Sequence, residues 1–259
     1  DNQYVFEGCN FTDCIALGGS GGAIYASNIG EIGLFTTKFD NCKVNGGDGS
    51  CIYVDKNVNM FELDKSNKFI NINDPQHYII VSGANEFRFE DFNIDESSNN
   101  NVKPIRFIGG GDMIFNNLTF EGLAGGIKIE KDVKSAVIEK CNFINCNCGN
   151  DYVITIENSN CQFKGNSIIF NKEGKTGRAL CILSNGAIEI ENNEFINCNT
   201  LSDTNDINPT IKFDPIDDQH TDRDVTFKYN TIERINKAEK FNLFYFNLIN
   251  GNFDFSHNI

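Results

Sequence analysis

An all-β fold, a parallel β-helix, is what this sequence predicts, and three observations predict it. A short cassette returns along the chain at a near-constant period. Apolar and polar residues alternate within the cassette and around it. Helix signals are nearly absent, because Gly, Asn, Asp and Thr interrupt the chain every few residues and apolar positions do not recur at i, i+3, i+4. A period of 20 to 50 residues marks stacked supersecondary units, each unable to bury its apolar face alone.

The cassette is an apolar residue, a second position three residues on, and a Phe or Ile anchor two residues after that. It reads Phe6-Cys9-Phe11, Leu34-Thr37-Phe39, Phe89-Phe92-Ile94, Phe115-Leu118-Phe120, Ile138-Cys141-Phe143, Phe163-Asn166-Ile168, Ile190-Asn193-Phe195 and Phe227-Asn230-Ile232, with a partial copy at Phe255-Asn258. Anchors lie 23 to 28 residues apart where no insertion intervenes. Three residues past the anchor a small or apolar residue is usual: Cys14, Cys42, Leu123, Cys146, Cys198, Ile235. About nine to ten coils are expected over residues 1–259, read as one solenoid.

Further short alternating runs fill each unit, such as Cys51-Ile52-Tyr53-Val54, Ile127-Lys128-Ile129, Leu180-Cys181-Ile182-Leu183 and Ile211-Lys212-Phe213. Period-2 alternation places one set inside and one outside: Ile188 and Ile190 in, Glu189 and Glu191 out. Asn166, Asn193, Asn230 and Asn258 share one cassette position. Stacked in register, their amides are expected to form a hydrogen-bonded ladder that holds a bend, and Asn tolerates the left-handed backbone a bend needs.

Composition limits the function. The formal charge of −14 argues against DNA or RNA as partner and against anionic lipid, both of which need a basic surface. No run of 18 apolar residues exists, so no helix is expected to span a membrane. The chain starts almost inside a cassette and stops before another closes, which leads us to expect a segment of a longer protein. Ten cysteines are read mainly as small buried hydrophobes. Cys14 and Cys42 occupy one position in adjacent units, and stacking at about 4.8 Å would bring them within disulfide reach. Cys9/Cys14 and Cys141/Cys146 are five apart, which places each pair on opposite faces if the strand is extended.

Between Phe195 and Ile232 the spacing stretches to 37, with the extra residues in an acidic loop insertion at 201–224. Asp214, Asp217 and Asp218 there are the candidate calcium ligands, although the spacing matches no EF-hand or nonapeptide repeat. Otherwise no metal or cofactor is expected. Insertions of this kind map to one face of a solenoid, often the binding face.

Gly21-Gly22-Ala23-Ile24-Tyr25-Ala26, following Phe11-Thr12-Asp13-Cys14, resembles the paired GGA(I/L/V) and FxxN motifs of the polymorphic membrane protein family. Phe39-Asp40-Asn41-Cys42, Phe143-Ile144-Asn145-Cys146 and Phe195-Ile196-Asn197-Cys198 extend the likeness, with Asn one place early and Cys in the fourth position. Gly125-Gly126-Ile127 is a partial copy, and later repeats lose the glycine pair. The resemblance implies a right-handed parallel β-helix at the cell surface that acts as a non-enzymatic adhesin. Host or neighbouring-cell surface proteins or glycans are the implied partners. Two N-glycosylation sequons, at Asn10 and Asn117, agree with an extracellular place.

Two other readings share the scaffold. A polysaccharide lyase or glycoside hydrolase would need clustered acidic and basic groups. The nearest grouping is Glu90, Asp91 and Asp95 with Arg106, while His77, His220 and His257 are scattered. No catalytic residue is assigned. Self-association through the coil ends into filaments is the structural alternative.

Overall fold

The structure is a computed structural model that describes residues 2–64, 66–70, 72, 77–90, 93–95, 103–122, 126–146, 148–149, 151–157, 160–170, 177–184, 186–198, 209–214, 224–233, 243–247 and 252–259. It is an all-β parallel solenoid with no helix among the described residues. The described strands stack into three faces, with an additional short ladder between Ile15–Leu17 and Lys43–Asn45 in the first two coils, and every ladder among the described residues is parallel.

The first face runs from Ile24–Ala26 and Ile52–Val54, through His77–Val81, Tyr152–Glu157 and Arg178–Leu183, to Ile211–Asp214 and Phe244–Phe246. The second runs from Gln3–Glu7, Ile29–Phe35, Val58–Asp64 and Ala84–Glu90 to Asn160–Lys164, Ile188–Glu191, Val225–Lys228 and Phe253–Ser256. Two long strands, Lys103–Asn116 and Ile127–Glu139, pass through both faces, and a register shift after Phe107 marks the corner between them. The third face carries the cassette anchors, in a ladder from Asn10–Thr12 to Lys68–Ile70 and another from Asn93–Asp95 to Thr231–Glu233.

The apolar cassette residues stack in one inward column, as the spacing predicts. The register pairs Phe6 with Leu34, Leu34 with Leu63, Phe115 with Ile138, Ile138 with Phe163, Phe163 with Ile190, Ile190 with Phe227 and Phe227 with Phe255. Anchors stack likewise: Phe11 on Phe39 at 5.2 Å and Phe120 on Phe143 at 5.2 Å between ring centroids. Burying each such ring stabilises the fold by about 1.5–3 kcal/mol, so the columns are the main source of cohesion.

One coil escaped the cassette reading. Phe69 pairs with Phe39, and Asn67 takes the ladder position beside Thr37. This bend holds one residue more than the others, so Leu63, Asn67 and Phe69 are spaced four and two apart rather than three and two. The extra length is absorbed locally: Ser66 N–H donates to Asp64 Oδ1 at 3.1 Å and Asn67 N–H to the Asp64 carbonyl at 3.3 Å.

The Asn ladder forms, and the side chains are buried from Asn166 to Asn230. Backbone N–H groups of Cys141, Asn166, Asn193 and Asn230 donate to Oδ1 of Asn166, Asn193, Asn230 and Asn258 at 2.8 to 3.0 Å. Each Nδ2 also donates back, for example Asn193 to the Phe163 carbonyl at 2.8 Å and Asn230 to that of Ile190 at 3.0 Å. The left-handed residue is not the ladder Asn, as expected from its tolerance, but the residue before the ladder position: Lys140 before Cys141, and Gly165, Asn192, Tyr229 and His257 before the asparagines, have φ between 55 and 65°. The Asn holds the bend by bonding to the neighbouring coil while its neighbour supplies the turn.

A second left-handed residue follows the anchor, at Asp13, Asn41, Asn145 and Asn197. It corrects the reading of the cysteine pairs. Cys141 and Cys146 are both buried in the same core, and Cys9 and Cys14 are both half-buried, because the intervening turn breaks the extended alternation. The glycine pair behaves as its motif requires. Gly21 has φ +73°, and a Cβ on Gly22 would lie 2.1 Å from the Ser50 carbonyl oxygen of the next coil.

Candidate functional site

Inward positions are spent on the core, so recognition chemistry has to sit on outward positions or on loops. The outward rows differ in how open they are. On the first face the register continues Tyr25, Tyr53, Ile80, Arg106 and Lys128, and later Thr155, Cys181, Lys212 and Tyr245. Ile80 and Cys181 are 0% and 5% exposed, so this face is overlaid at those coils.

The second face is the open one. Its central outward column runs from Val5 and the buried Gly33 to Glu62, Arg88, Ile114, Val137, Gln162, Glu189, Thr226 and Asp254, all in register and, from Glu62 on, all half-buried or exposed. One residue inward on the same strands, the column is Leu, Phe or Ile at nearly every coil. The backbone repeats while the outward side chains vary. A ladder kept for stability would repeat its residue type, as the Asn ladder does.

Charge on this face is locked across coils. Lys164 Nζ lies 2.7 Å from Glu189 and 3.6 Å from Glu191, and Lys228 Nζ lies 2.5 Å from Asp254. The hydrogen bond from Lys164 to Glu189 raises the ammonium's pKa, and that from Lys228 to Asp254 lowers the carboxyl's. Arg88 holds Glu86 at 3.0 Å on its own strand. These contacts fix side-chain positions on a flat surface and present hydrogen-bonding edges along it.

The sequence-predicted residues fall as follows. Asn10 and Asn117 are both exposed. Cys14 and Cys42 come side by side in adjacent coils, where the Lys43 N–H donates to the Cys14 carbonyl at 2.9 Å, and both are thiols. Asp217 and Asp218 lie outside the described residues. Asp214 does not stand in a loop: it ends the strand Ile211–Asp214, a rung of the first face inside the predicted insertion, because the run Ile211-Lys212-Phe213 buries alternate residues. Its carboxylate lies 3.0 Å from Lys212 Nζ and accepts from Asn247 Nδ2 at 3.0 Å. Among the described residues no group of three His, Cys, Asp or Glu side chains is placed to hold a metal ion.

Among the described residues the lyase-like grouping is not brought together. Arg106 is bound to Glu130 of the next coil, its guanidinium 2.6 Å from Oε1. Glu90 pairs in register with Asn116, at the far end of the strand that carries Arg106 and on the second face rather than the first. Asp91 lies outside the described residues. Of the histidines, His257 stacks on Tyr229 at 4.9 Å, His220 lies outside the described residues, and His77 is placed only by its backbone on the first face. The signal that would have singled out the second face is the contrast between a repeating inward column and a varying outward one, visible once Leu63 is placed in the count.

No protein-family model, curated protein or solved structure matches this chain. The likeness to polymorphic membrane proteins therefore rests on the quoted motifs.

Proposed function

We propose that this solenoid is a non-enzymatic display scaffold of the extracellular surface, which presents the outward face of its second sheet to a protein or glycan on a host or neighbouring cell. The observation that carries the reading is the varying, solvent-facing column from Glu62 to Asp254 on an otherwise repeating backbone. Parallel stacking makes that surface rigid, so little ordering entropy is lost when a partner binds. The exposed sequon asparagines and the GGAI-type motif are consistent with an extracellular setting. The test is binding of the purified chain to fixed cells and to an immobilised glycan panel. Replacing Glu62, Arg88 and Gln162 together by Ser should abolish binding while leaving the β-sheet circular dichroism unchanged. Retained binding by that variant, or none by the wild type, overturns the reading.

A further inference from the structure

Three thiols meet at one corner of the first two coils. The register that pairs Ile15 with Lys43 sets Cys14 beside Cys42 one coil on. Cys42 Sγ, which donates to the Phe11 carbonyl at 3.5 Å and to the Asp40 carbonyl at 3.8 Å, lies close enough to the thiols of Cys51 and Cys14 for both to lower its pKa. Cys42 and Cys51 are buried, at 1% and 0% exposure, while Cys14 is half-buried and reaches solvent. Neighbouring parallel rungs lie about 4.8 Å apart, inside the Cα separation a disulfide spans. Thiols in adjacent rungs can form and exchange disulfides.

We infer that Cys42 is the shared sulfur of a redox-active trio, closing a disulfide with Cys14 of the previous coil or with Cys51 of its own, one at a time, and that Cys14 is the entry point for a small-molecule disulfide. The steps balance with oxidised glutathione as oxidant. The Cys14 thiolate attacks one glutathione sulfur, the S–S bond breaks and a glutathione thiolate leaves. The Cys42 thiolate then attacks Cys14 Sγ, expels the second glutathione and leaves the Cys14–Cys42 disulfide. Two protein thiols have lost two protons and two electrons, and one glutathione disulfide has become two thiols. Attack of Cys51 on Cys42 Sγ moves the bond inward and returns Cys14 as a thiol, with no net redox change. The neighbouring Cys51 thiol brings Cys42 down to about 7, which suits it to the second step. Burial and the neighbouring Cys42 raise Cys14, so entry is the slow step.

This inference does not depend on the display reading, and failure to bind cells leaves it standing. Trypsin cuts after Lys38, Lys43 and Lys56, which puts Cys14, Cys42 and Cys51 on separate peptides. The purified chain is exposed to oxidised glutathione, alkylated, digested without reductant and mapped by tandem mass spectrometry, with fragmentation distinguishing Cys14 from Cys9. The peptide Phe39–Lys43 should lose its alkylation and appear linked to the peptide bearing Cys14 or to Val44–Lys56. Cys51→Ser should give the Cys14–Cys42 link alone, and Cys14→Ser should slow loss of the Cys42 thiol by about tenfold or more. A Cys42 peptide that stays fully alkylated while Cys14 is oxidised overturns the proposal, as does oxidation of Cys42 at the wild-type rate in Cys14→Ser. Mapping of the wild type decides the first point even if a variant fails to fold.

Discussion

Asn166 donates its backbone N–H to Asn193 Oδ1 at 2.8 Å, one coil further along the solenoid. Asn193 also accepts from Asn166 Nδ2 at 3.1 Å and donates to the Phe163 carbonyl and to Asn230 Oδ1. One buried amide thus satisfies groups in the coil before and the coil after. Replacing it by Leu leaves the buried Asn166 N–H without its partner and removes the bonds to the Phe163 carbonyl and Asn230 Oδ1. Asn193→Leu should cost roughly 3 kcal/mol, because each buried group left unpaired costs about 1–3 kcal/mol. Asn258→Leu should cost less, since that residue is half-buried and has water as an alternative. Chemical denaturation followed by far-ultraviolet circular dichroism checks both, and equal effects would mean that burial does not set the ladder's strength.

The glycine pair allows a paired test. A methyl group at Gly22 would lie 2.1 Å from the Ser50 carbonyl oxygen and 2.6 Å from that of Lys43, both backbone atoms of the adjoining coil. Gly22→Ala should therefore destabilise by about 2 kcal/mol or more, the cost of pushing two coils apart. A methyl at Gly19 meets nothing within 4 Å, and its φ is outside the left-handed range. Gly19→Ala should be neutral or stabilising by about 0.5 kcal/mol, through loss of freedom in the unfolded chain. Thermal unfolding of the two variants side by side gives the answer.

The solenoid was legible because its inward columns repeat in residue type: Phe6, Leu34, Phe115, Ile138, Phe163, Ile190 and Phe227 occupy one column at the predicted spacing. The coil at Leu63, Asn67 and Phe69 was not legible, since one additional bend residue shifts the spacing while leaving the register intact. The bend geometry was half legible. Asn marks the ladder in the later coils, but left-handed φ falls on whichever residue precedes the ladder position, and Thr36 before Thr37, Lys140 before Cys141 and Tyr229 before Asn230 carry no such preference. There tertiary stacking overrides local propensity. The outward column of the second face has no motif because its residue types vary, and composition shows only that the chain as a whole is acidic.

Alkali should weaken the fold through its buried thiols. Desolvation pushes Cys141 and Cys161 up to about 12 and Cys181 up to about 11, against a value of 9.0 for an ordinary thiol. The folded pKa lies above the unfolded one, so the contribution is fully present below pH 9 and is lost as pH rises towards 11 to 12. Each thiol should remove about 1.4 kcal/mol of stability per pH unit in that window. Cys161→Val removes one of them and should make the fall in stability between pH 9 and 11 shallower by that slope. Urea titrations at several pH values measure it, and parallel curves for the two proteins would show that this thiol does not drive the loss.

Glycan attachment tests the extracellular setting and the choice of face together. Asn10 is exposed within the strand Asn10–Thr12 on the third face, and Asn117 is exposed at a left-handed bend, φ 56°, between the second and third faces. Glycans at these points would leave the central outward column of the second face uncovered. Expressed through a eukaryotic secretory pathway, the chain should carry N-glycans at both asparagines. Asn10→Gln and Asn117→Gln should each remove one peptide-N-glycosidase-sensitive step in mass. The doubly glycosylated chain should bind cells as tightly as the deglycosylated one, because neither attachment point lies in the Glu62 to Asp254 column. Weaker binding by the glycosylated form would move the contact surface from the second face to the third.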